Sequence, residues 1–438
     1  MRLPRGLRRS RPLQIVVASV VLLVVAGLVT GIVVRRNQQT AQSAPSSRSG
    51  TSGQPGQATG GVGTSPSTGW LHTDGTRILD EAGRQVVLRG VDDSTQTKTE
   101  KHTPDEAEFA NISSWGMNTL RLVVQWAKLQ PRAPTATDPG WSKDYLSRID
   151  AIVQLAASHH IYVILDMHQA GWANKLGGSG LPDWLYPELA ACPSGGCGAS
   201  KTAHCEFLLD QAEKGVPVTP QEGMITAWTE LATRYKDNAT VIGADFFNEP
   251  QPCKLPGVAK ASYHVPTASS NPLDDFYLKA GTAVAAVNPR LLLVYEDNAY
   301  ESYEAGGFAL AHRLDLPNAV YSSHFYADSW SQGNGPQSCK TPGGPTGQDV
   351  MQAHLDRAQG WDQPMYVGEF DGFHLTNQPK CPYSTSETQA AADTATMMDY
   401  LRTNSVSWTL WQYSNSQPMV QPSGNAKQPL LANLQKGL

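Results

Sequence analysis

From Val86 onward the chain alternates between two spacings of apolar residues. Short β-branched or aliphatic runs read as strands: Val86 to Val91, Thr119 to Val124, Tyr162 to His168, Ile242 to Glu249, Leu291 to Glu296, Ala319 to Tyr326, Pro364 to Phe370 and Ser407 to Tyr413. Between them, Trp141 to His159, Gly223 to Tyr235, Leu273 to Val287 and Thr385 to Thr403 place apolar residues at helical spacing. Strands alternating with helices predict parallel βαβ units, and eight runs are the number that closes an α/β (β/α)8 TIM barrel. An open doubly wound sheet uses the same units, but no glycine-rich phosphate turn follows any early run.

The polar residues inside these runs sit toward one end. Asp166 with His168, Asn248 with Glu249, Glu296 with Asp297, His324 with Tyr326, Glu369 and Trp411 occupy the C-terminal half of their runs or follow them directly, and Arg121 stands at the middle of its run. In a parallel barrel those ends meet on one face, where such enzymes build their active sites. The connection from Gln169 to Pro220 is far longer than a βα turn requires and is expected to wall the cleft.

The pattern before Trp70 differs. Leu13 to Val34 is an uncharged, mostly aliphatic stretch long enough to cross a bilayer, where about 20 residues suffice. Five arginines precede it and Arg35 and Arg36 follow, so the positive-inside bias leaves residues 1–12 cytoplasmic, 13–34 as a transmembrane signal anchor and the remainder outside. Secretion after signal cleavage is the alternative, although the run exceeds a usual signal core. Residues 35–69 are dominated by Ser, Thr, Gly, Gln and Pro, which bury too little surface to offset ordering entropy and read as a flexible linker to a 70–438 catalytic domain.

Composition changes this picture in two places. A formal net charge of -5 gives no basic footprint, which argues against nucleic acid as a partner. All six cysteines lie between Cys192 and Cys381, an even number that suits disulfides in an oxidising compartment. Cys192, Cys197 and Cys205 lie in the long connection and Cys253 follows the fourth run, so these four can pair among themselves, in an order the sequence leaves open. Cys339 and Cys381 form a second expected pair. Zinc binding by Cys192, Cys197, His204 and Cys205 is the competing reading, disfavoured by irregular spacing, and no metal or cofactor is expected.

Breaking a glycosidic bond takes a proton donor for the leaving oxygen and a second carboxylate. Glu249 ends the fourth run and Glu369 lies at the end of the seventh, so a barrel would set them across one cleft. Six short motifs surround them: Asn118-Thr119-Leu120-Arg121-Leu122, Asp166-Met167-His168, Phe247-Asn248-Glu249-Pro250, His324-Phe325-Tyr326, Gly368-Glu369-Phe370 and Trp408-Thr409-Leu410-Trp411. In this order, each at a strand end, they resemble glycoside hydrolase family 5, the cellulase-type family of retaining (β/α)8 enzymes, over roughly Trp70 to Ser414.

The resemblance implies Glu249 as general acid/base and Glu369 as nucleophile. It implies Arg121 and Tyr326 as partners of the nucleophile, Asn248 as a ligand of the sugar 2-hydroxyl, His168 and His324 as shapers of the inner subsite, and Trp411 as its floor. Repulsion from Glu369 is expected to raise the pKa of Glu249. The segment Leu231 to Gly243 looks most like bacterial endo-β-1,4-glucanases, so a β-linked polysaccharide or oligosaccharide is the expected partner, with mannan, β-1,3-glucan and glycolipid headgroups as rivals and a monomer as the expected state. A carbohydrate-binding barrel without catalysis is the other class, against which both glutamates argue. Asp92 and Asp371 replace residues common in the family and put the outer sugar subsites in doubt. Trp126, Trp172, Trp184 and Trp330 serve cores and sugars equally well and stay outside the predicted site.

Overall fold

Inward and outward positions alternate along a strand, and a barrel buries both sets: one against the surrounding helices, the other inside the ring. The computed structural model describes residues 69–94, 97–99, 105–253, 271–297, 308–326, 330, 345–370, 387–413 and 430–438. The predicted membrane anchor 13–34, nearly all of the linker, Cys339, Cys381 and Asp371 lie outside the described residues. Among those described, no helix is long and apolar enough to cross a membrane.

A short hairpin comes first, β1 (Leu71–Asp74) against β2 (Arg77–Asp80). The barrel strands are β3 (Arg89–Asp93), β4 (Thr119–Val124), β5 (Tyr162–Met167), β6 (Val241–Asp245), β7 (Leu292–Glu296), β8 (Ala319–Phe325), β9 (Met365–Phe370) and β10 (Ser407–Leu410). They are parallel throughout and close in the order β10-β3-β4-β5-β6-β7-β8-β9. Leu88, Tyr162, Ile164, Ile242, Leu292, Val294, Val320 and Tyr366 fill the lower interior, joined by Leu71 and Ile78 of the hairpin. The hairpin is fastened there, since Asn318 Oδ1, just before β8, accepts the Thr73 N–H at 3.1 Å.

The helices start where the sequence supplies caps. Lys143–Ser158 begins at Ser142, whose hydroxyl accepts from Tyr145 N. Pro220–Arg234 begins at a Thr219/Glu222 capping box, and Pro272–Val287 at Asn271 with proline at its first position. Gly347–Gly360 and Glu387–Thr403 follow β8 and β9. Their apolar stripes pack on outward strand residues such as Leu120, Leu122, Leu293, Tyr295 and Val367.

Three strands depart from the sequence reading. The first starts three residues late because Val86 gives its N–H to Ile78 of the hairpin and not to the barrel. The fourth ends at Asp245, although Phe246 and Asn248 still donate to Val294 O and Met167 O, and the eighth ends at Leu410, three residues before Tyr413. Register irregularities also matter. Between Ser323/Phe325 on β8 and Val367/Phe370 on β9, β9 carries one extra residue. Tyr366 and Gly368 face inward and Phe370 outward, so the extra residue turns Glu369 inward beside them.

Candidate active site

The cleft is organised by a cation that strand alternation forces inside. Leu120 and Leu122 face the helices, which leaves Arg121 fully buried at the barrel axis. Its guanidinium reaches Asp92 at 2.9 Å, Asp166 at 3.1 Å, Asp245 at 2.8 Å and Glu369 at 2.8 Å, and donates to Asn248 Oδ1 at 3.0 Å. One guanidinium cannot balance four carboxylates in a medium this poor in water. Burial accordingly raises the pKa of Asp92 and Asp245 and lifts Asp166 to about 7, against the opposing pull of Arg121. Asp92 therefore belongs to this core and not to an outer sugar subsite.

Glu369 stands at the top of this cluster, nearly buried. Its Oε1 takes the Arg121 hydrogen bond, and Tyr326 donates its phenolic hydrogen to Oε2 at 2.6 Å. Together they fix the orientation of this side chain. A Cβ at Gly368 would sit 3.1 Å from His324 Nε2, so glycine there leaves room for that ring next to Glu369. His324 Nδ1 lies 3.0 Å from Glu249 Oε1 and 3.6 Å from Glu369 Oε2.

Glu249 lies beyond the end of β6 with φ 43°, a left-handed backbone rare for glutamate. Gln169 holds this turn by donating Nε2–H to the carbonyls of Asn248 (3.0 Å) and Glu249 (2.8 Å), while Asn248 Nδ2 donates back to Gln169 O at 2.9 Å. One carboxylate oxygen of Glu249 and one of Glu369 are within 4.8 Å of each other, with His324 Nδ1 in the same cluster. Burial raises the pKa of Glu249, and the positive groups around it moderate the rise. The direction agrees with the sequence reading, but burial, and not repulsion from Glu369, is the cause.

His168 completes the opposite wall. Its Nδ1 pairs with Asp166 Oδ2 at 2.8 Å, its Nε2 faces Lys98 Nζ at 3.3 Å, and its ring stacks on Trp411 with centroids 5.2 Å apart and planes 6° from parallel. Burial lowers its pKa to about 3, so the imidazole is neutral and Nε2 accepts from the Lys98 ammonium. All eight predicted site residues, Arg121, His168, Asn248, Glu249, His324, Tyr326, Glu369 and Trp411, thus fall in one connected cluster. Sequence reading missed Lys98, on a loop with no distinguishing pattern, and Gln169 and Asp245, and it noted Glu296 at a strand end without giving it a role. Asp245 and Glu296 carried the inward strand-end signal.

Around the cleft, disulfides Cys192–Cys197 and Cys205–Cys253 use up the thiolates that a zinc site in the long connection would need. Asp166/His168/Glu369 and Glu249/His324/Glu369 each bring three donor atoms within 4.8 Å of one another. In both groups the Glu369 carboxylate is already engaged by Arg121 and Tyr326. Trp126, Trp172 and Trp330 are core residues, each about 1% exposed or less. Trp184 is partly buried and donates to Gln130 O at 2.9 Å.

A parallel barrel with paired glutamates, a buried arginine and an aromatic floor at the C-terminal ends of its strands defines a barrel glycoside hydrolase. The family model for cellulase (glycosyl hydrolase family 5) matches residues 79–417, and the chain belongs to that family. It is 24% identical to an endoglucanase of Paenibacillus polymyxa over 373 residues, 78% of this chain and 79% of the relative. It is 26% identical to endoglycoceramidase I of Rhodococcus hoagii over 201 residues, 42% of this chain and 37% of the relative. Its fold is similar to the crystal structure of an endogalactoceramidase, with a TM-score of 0.64 and 22% identity over 84% of each chain.

Proposed function

We propose that this protein hydrolyses β-1,4-linked glucan within the chain, with retention of anomeric configuration, Glu249 serving as acid/base and Glu369 as nucleophile. The observation that carries the reading is the approach of the two carboxylates to within 4.8 Å. Retaining enzymes hold their carboxyl groups about 5 to 5.5 Å apart, whereas inverting enzymes leave about 6.5 to 9.5 Å for a water molecule.

The division of labour follows from the partners. Arg121 and Tyr326 hold the Glu369 side chain in place with a lone pair directed at the cleft. Burial favours the protonated form of Glu249. Glu369 attacks the anomeric carbon, the bond to the leaving oxygen breaks, and that oxygen takes the proton of Glu249. In the second step Glu249 removes a proton from water, the water oxygen bonds to the anomeric carbon, and Glu369 is released. Asn248, fixed at Oδ1 by Arg121, uses its second Nδ2–H for the sugar 2-hydroxyl. The Trp411 face, stacked on His168, offers the ring an apolar platform.

Glucan is favoured by the similarity to an endoglucanase over most of both chains. A second reading, release of a β-linked glycan from a glycolipid, is supported by the similarity to endoglycoceramidase I. We further propose a monomeric barrel outside the cell membrane, held by residues 13–34 through the 35–69 linker. The flanking arginines support that orientation, and retention in carbonate-washed membranes tests it. For the chemistry, incubation with a 2-deoxy-2-fluoro-β-cellobiosyl fluoride should label Glu369 in peptide mass maps. A label elsewhere overturns the nucleophile assignment. Sugar release from carboxymethylcellulose but not from lactosylceramide in detergent supports the glucan reading, and the reverse supports the second.

A further inference from the structure

Glu296 ends β7 and is fully buried. The reaction above makes no use of it, yet both of its oxygens face the acid/base machinery. Its Oε2 accepts the backbone N–H of Glu249 at 3.0 Å. Its Oε1 lies 3.2 Å from His324 Nε2, and the other nitrogen of that ring lies 3.0 Å from Glu249 Oε1. Neither Glu296 Oε1 nor His324 Nε2 makes an aligned hydrogen bond, with the other or with any further group. Two fully buried polar atoms so close together are costly unless a proton lies between them.

Where that proton resides decides what Glu249 can do. If Glu296 is ionised and accepts from Nε2–H, Nδ1 carries a lone pair. The acid proton of Glu249 is then drawn onto Oε1 and spent on the imidazole. If Glu296 is protonated and donates to Nε2, the ring hydrogen moves to Nδ1 and is donated to Glu249 Oε1. The acid proton then sits on Oε2, free for a leaving group. Burial, with Asp245 adding to it, holds the Glu296 carboxyl well above the ordinary range, which favours the second arrangement. His324, brought down to about 4 mainly by burial, is neutral in either case. The bond to Glu249 N also steadies a residue at φ 43°.

We propose that Glu296 is a positioning residue: its carboxyl proton fixes His324 as the Nδ1–H tautomer, which leaves the transferable proton of Glu249 on Oε2, while its second oxygen anchors the Glu249 backbone. This rests on Glu249 being the acid/base. Glu296→Gln reproduces both bonds of a protonated carboxyl, because its amide donates to Nε2 and its carbonyl accepts from Glu249 N. Glu296→Leu removes both.

The test compares kcat/KM on two substrates sharing a cellobiosyl or lactosyl glycone, whichever wild type turns over faster: the 2,4-dinitrophenyl glycoside, whose leaving group needs no proton, and the octyl glycoside, whose leaving group does. Glu296→Leu should lose about 100-fold on the octyl glycoside and under about 5-fold on the dinitrophenyl glycoside, in line with loss of general-acid assistance. Glu296→Gln should stay within about 3-fold of wild type on both. Glu296→Asp, too short to reach either partner, should show the same split as leucine and serves if the leucine variant does not fold. Equal losses on both substrates, no loss, or glutamine failing as badly as leucine overturns the proposal. Glu249→Gln separates the two levels: if it shows the split and the Glu296 variants do not, only the positioning role falls. If Glu249→Gln lacks the split, the acid/base reading itself fails.

Discussion

Arg121 and Glu369, 248 positions apart in the chain, are joined by a 2.8 Å hydrogen bond from Nη1 to Oε1 inside the barrel. The same guanidinium is shared by three aspartates, so this one side chain holds the proposed nucleophile and the charge balance of the core together.

Replacing Arg121 with methionine leaves those carboxylates without their cation. Breaking a buried ion pair from one side typically costs about 3 to 5 kcal/mol. Urea unfolding of Arg121→Met should show a loss of that order, and a variant as stable as wild type would contradict the network described.

The raised pKa of Glu249 has a kinetic counterpart. As pH rises through that value the acid loses its proton, so kcat/KM on an octyl glycoside should fall on the alkaline side, at a pH above the ordinary glutamate range. Glu249→Ala should lose most of its activity on the octyl glycoside, while the dinitrophenyl glycoside still glycosylates the enzyme. Added azide should restore turnover and give a β-glycosyl azide, identifiable by proton NMR. An α product would rule out retention.

His204 offers a clean reading of linkage outside the cleft. Burial, with a smaller contribution from Lys201, lowers its pKa to about 4, while the unfolded imidazole titrates near 6.5. Between those values the unfolded chain binds one more proton than the folded one, so this histidine makes stability rise with pH across the window and withdraws stability below it. In His204→Gln the unfolding free energy should rise less steeply between pH 4 and 6.5, by up to about 1.4 kcal/mol per pH unit. An unchanged slope would show that His204 titrates normally in the folded protein.

Cys205–Cys253 spans 48 residues and Cys192–Cys197 only 5. Loop-closure entropy assigns them about 4 and about 2 kcal/mol respectively. Cys253→Ser combined with Cys205→Ser should therefore lower stability about twice as much as the Cys192/Cys197 double replacement, measured by urea melts. Cys253 also lies four residues after Glu249, so the first pair should also lower kcat, and the second should leave it near wild type.

Much of this architecture is written in local patterns. Period-two alternation in Thr119–Val124 alone puts Arg121 inside, and caps such as Thr219 with Glu222 start helices close to where apolar periodicity begins. Polar residues gathered along the strands picked out the eight predicted residues that cluster in the site, because parallel strands bring like ends to one face whatever their separation in sequence.

Other features depended on neighbours that no local window contains. The inward turn of Glu369 comes from an extra residue in β9 set by its register with β8, and the left-handed backbone of Glu249 is stabilised by Gln169 and Glu296 from adjacent strand ends. Lys98 reaches His168 from a loop whose sequence carries no signal, and Trp126, Trp172 and Trp330 proved to be core. The sequence by itself determined the eight-fold alternation, the face on which the chemistry gathers and the two glutamates. Tertiary structure alone decided the register, the disulfide partners and the protons, since a carboxyl's charge depends on how much water and which cations the closed barrel leaves beside it.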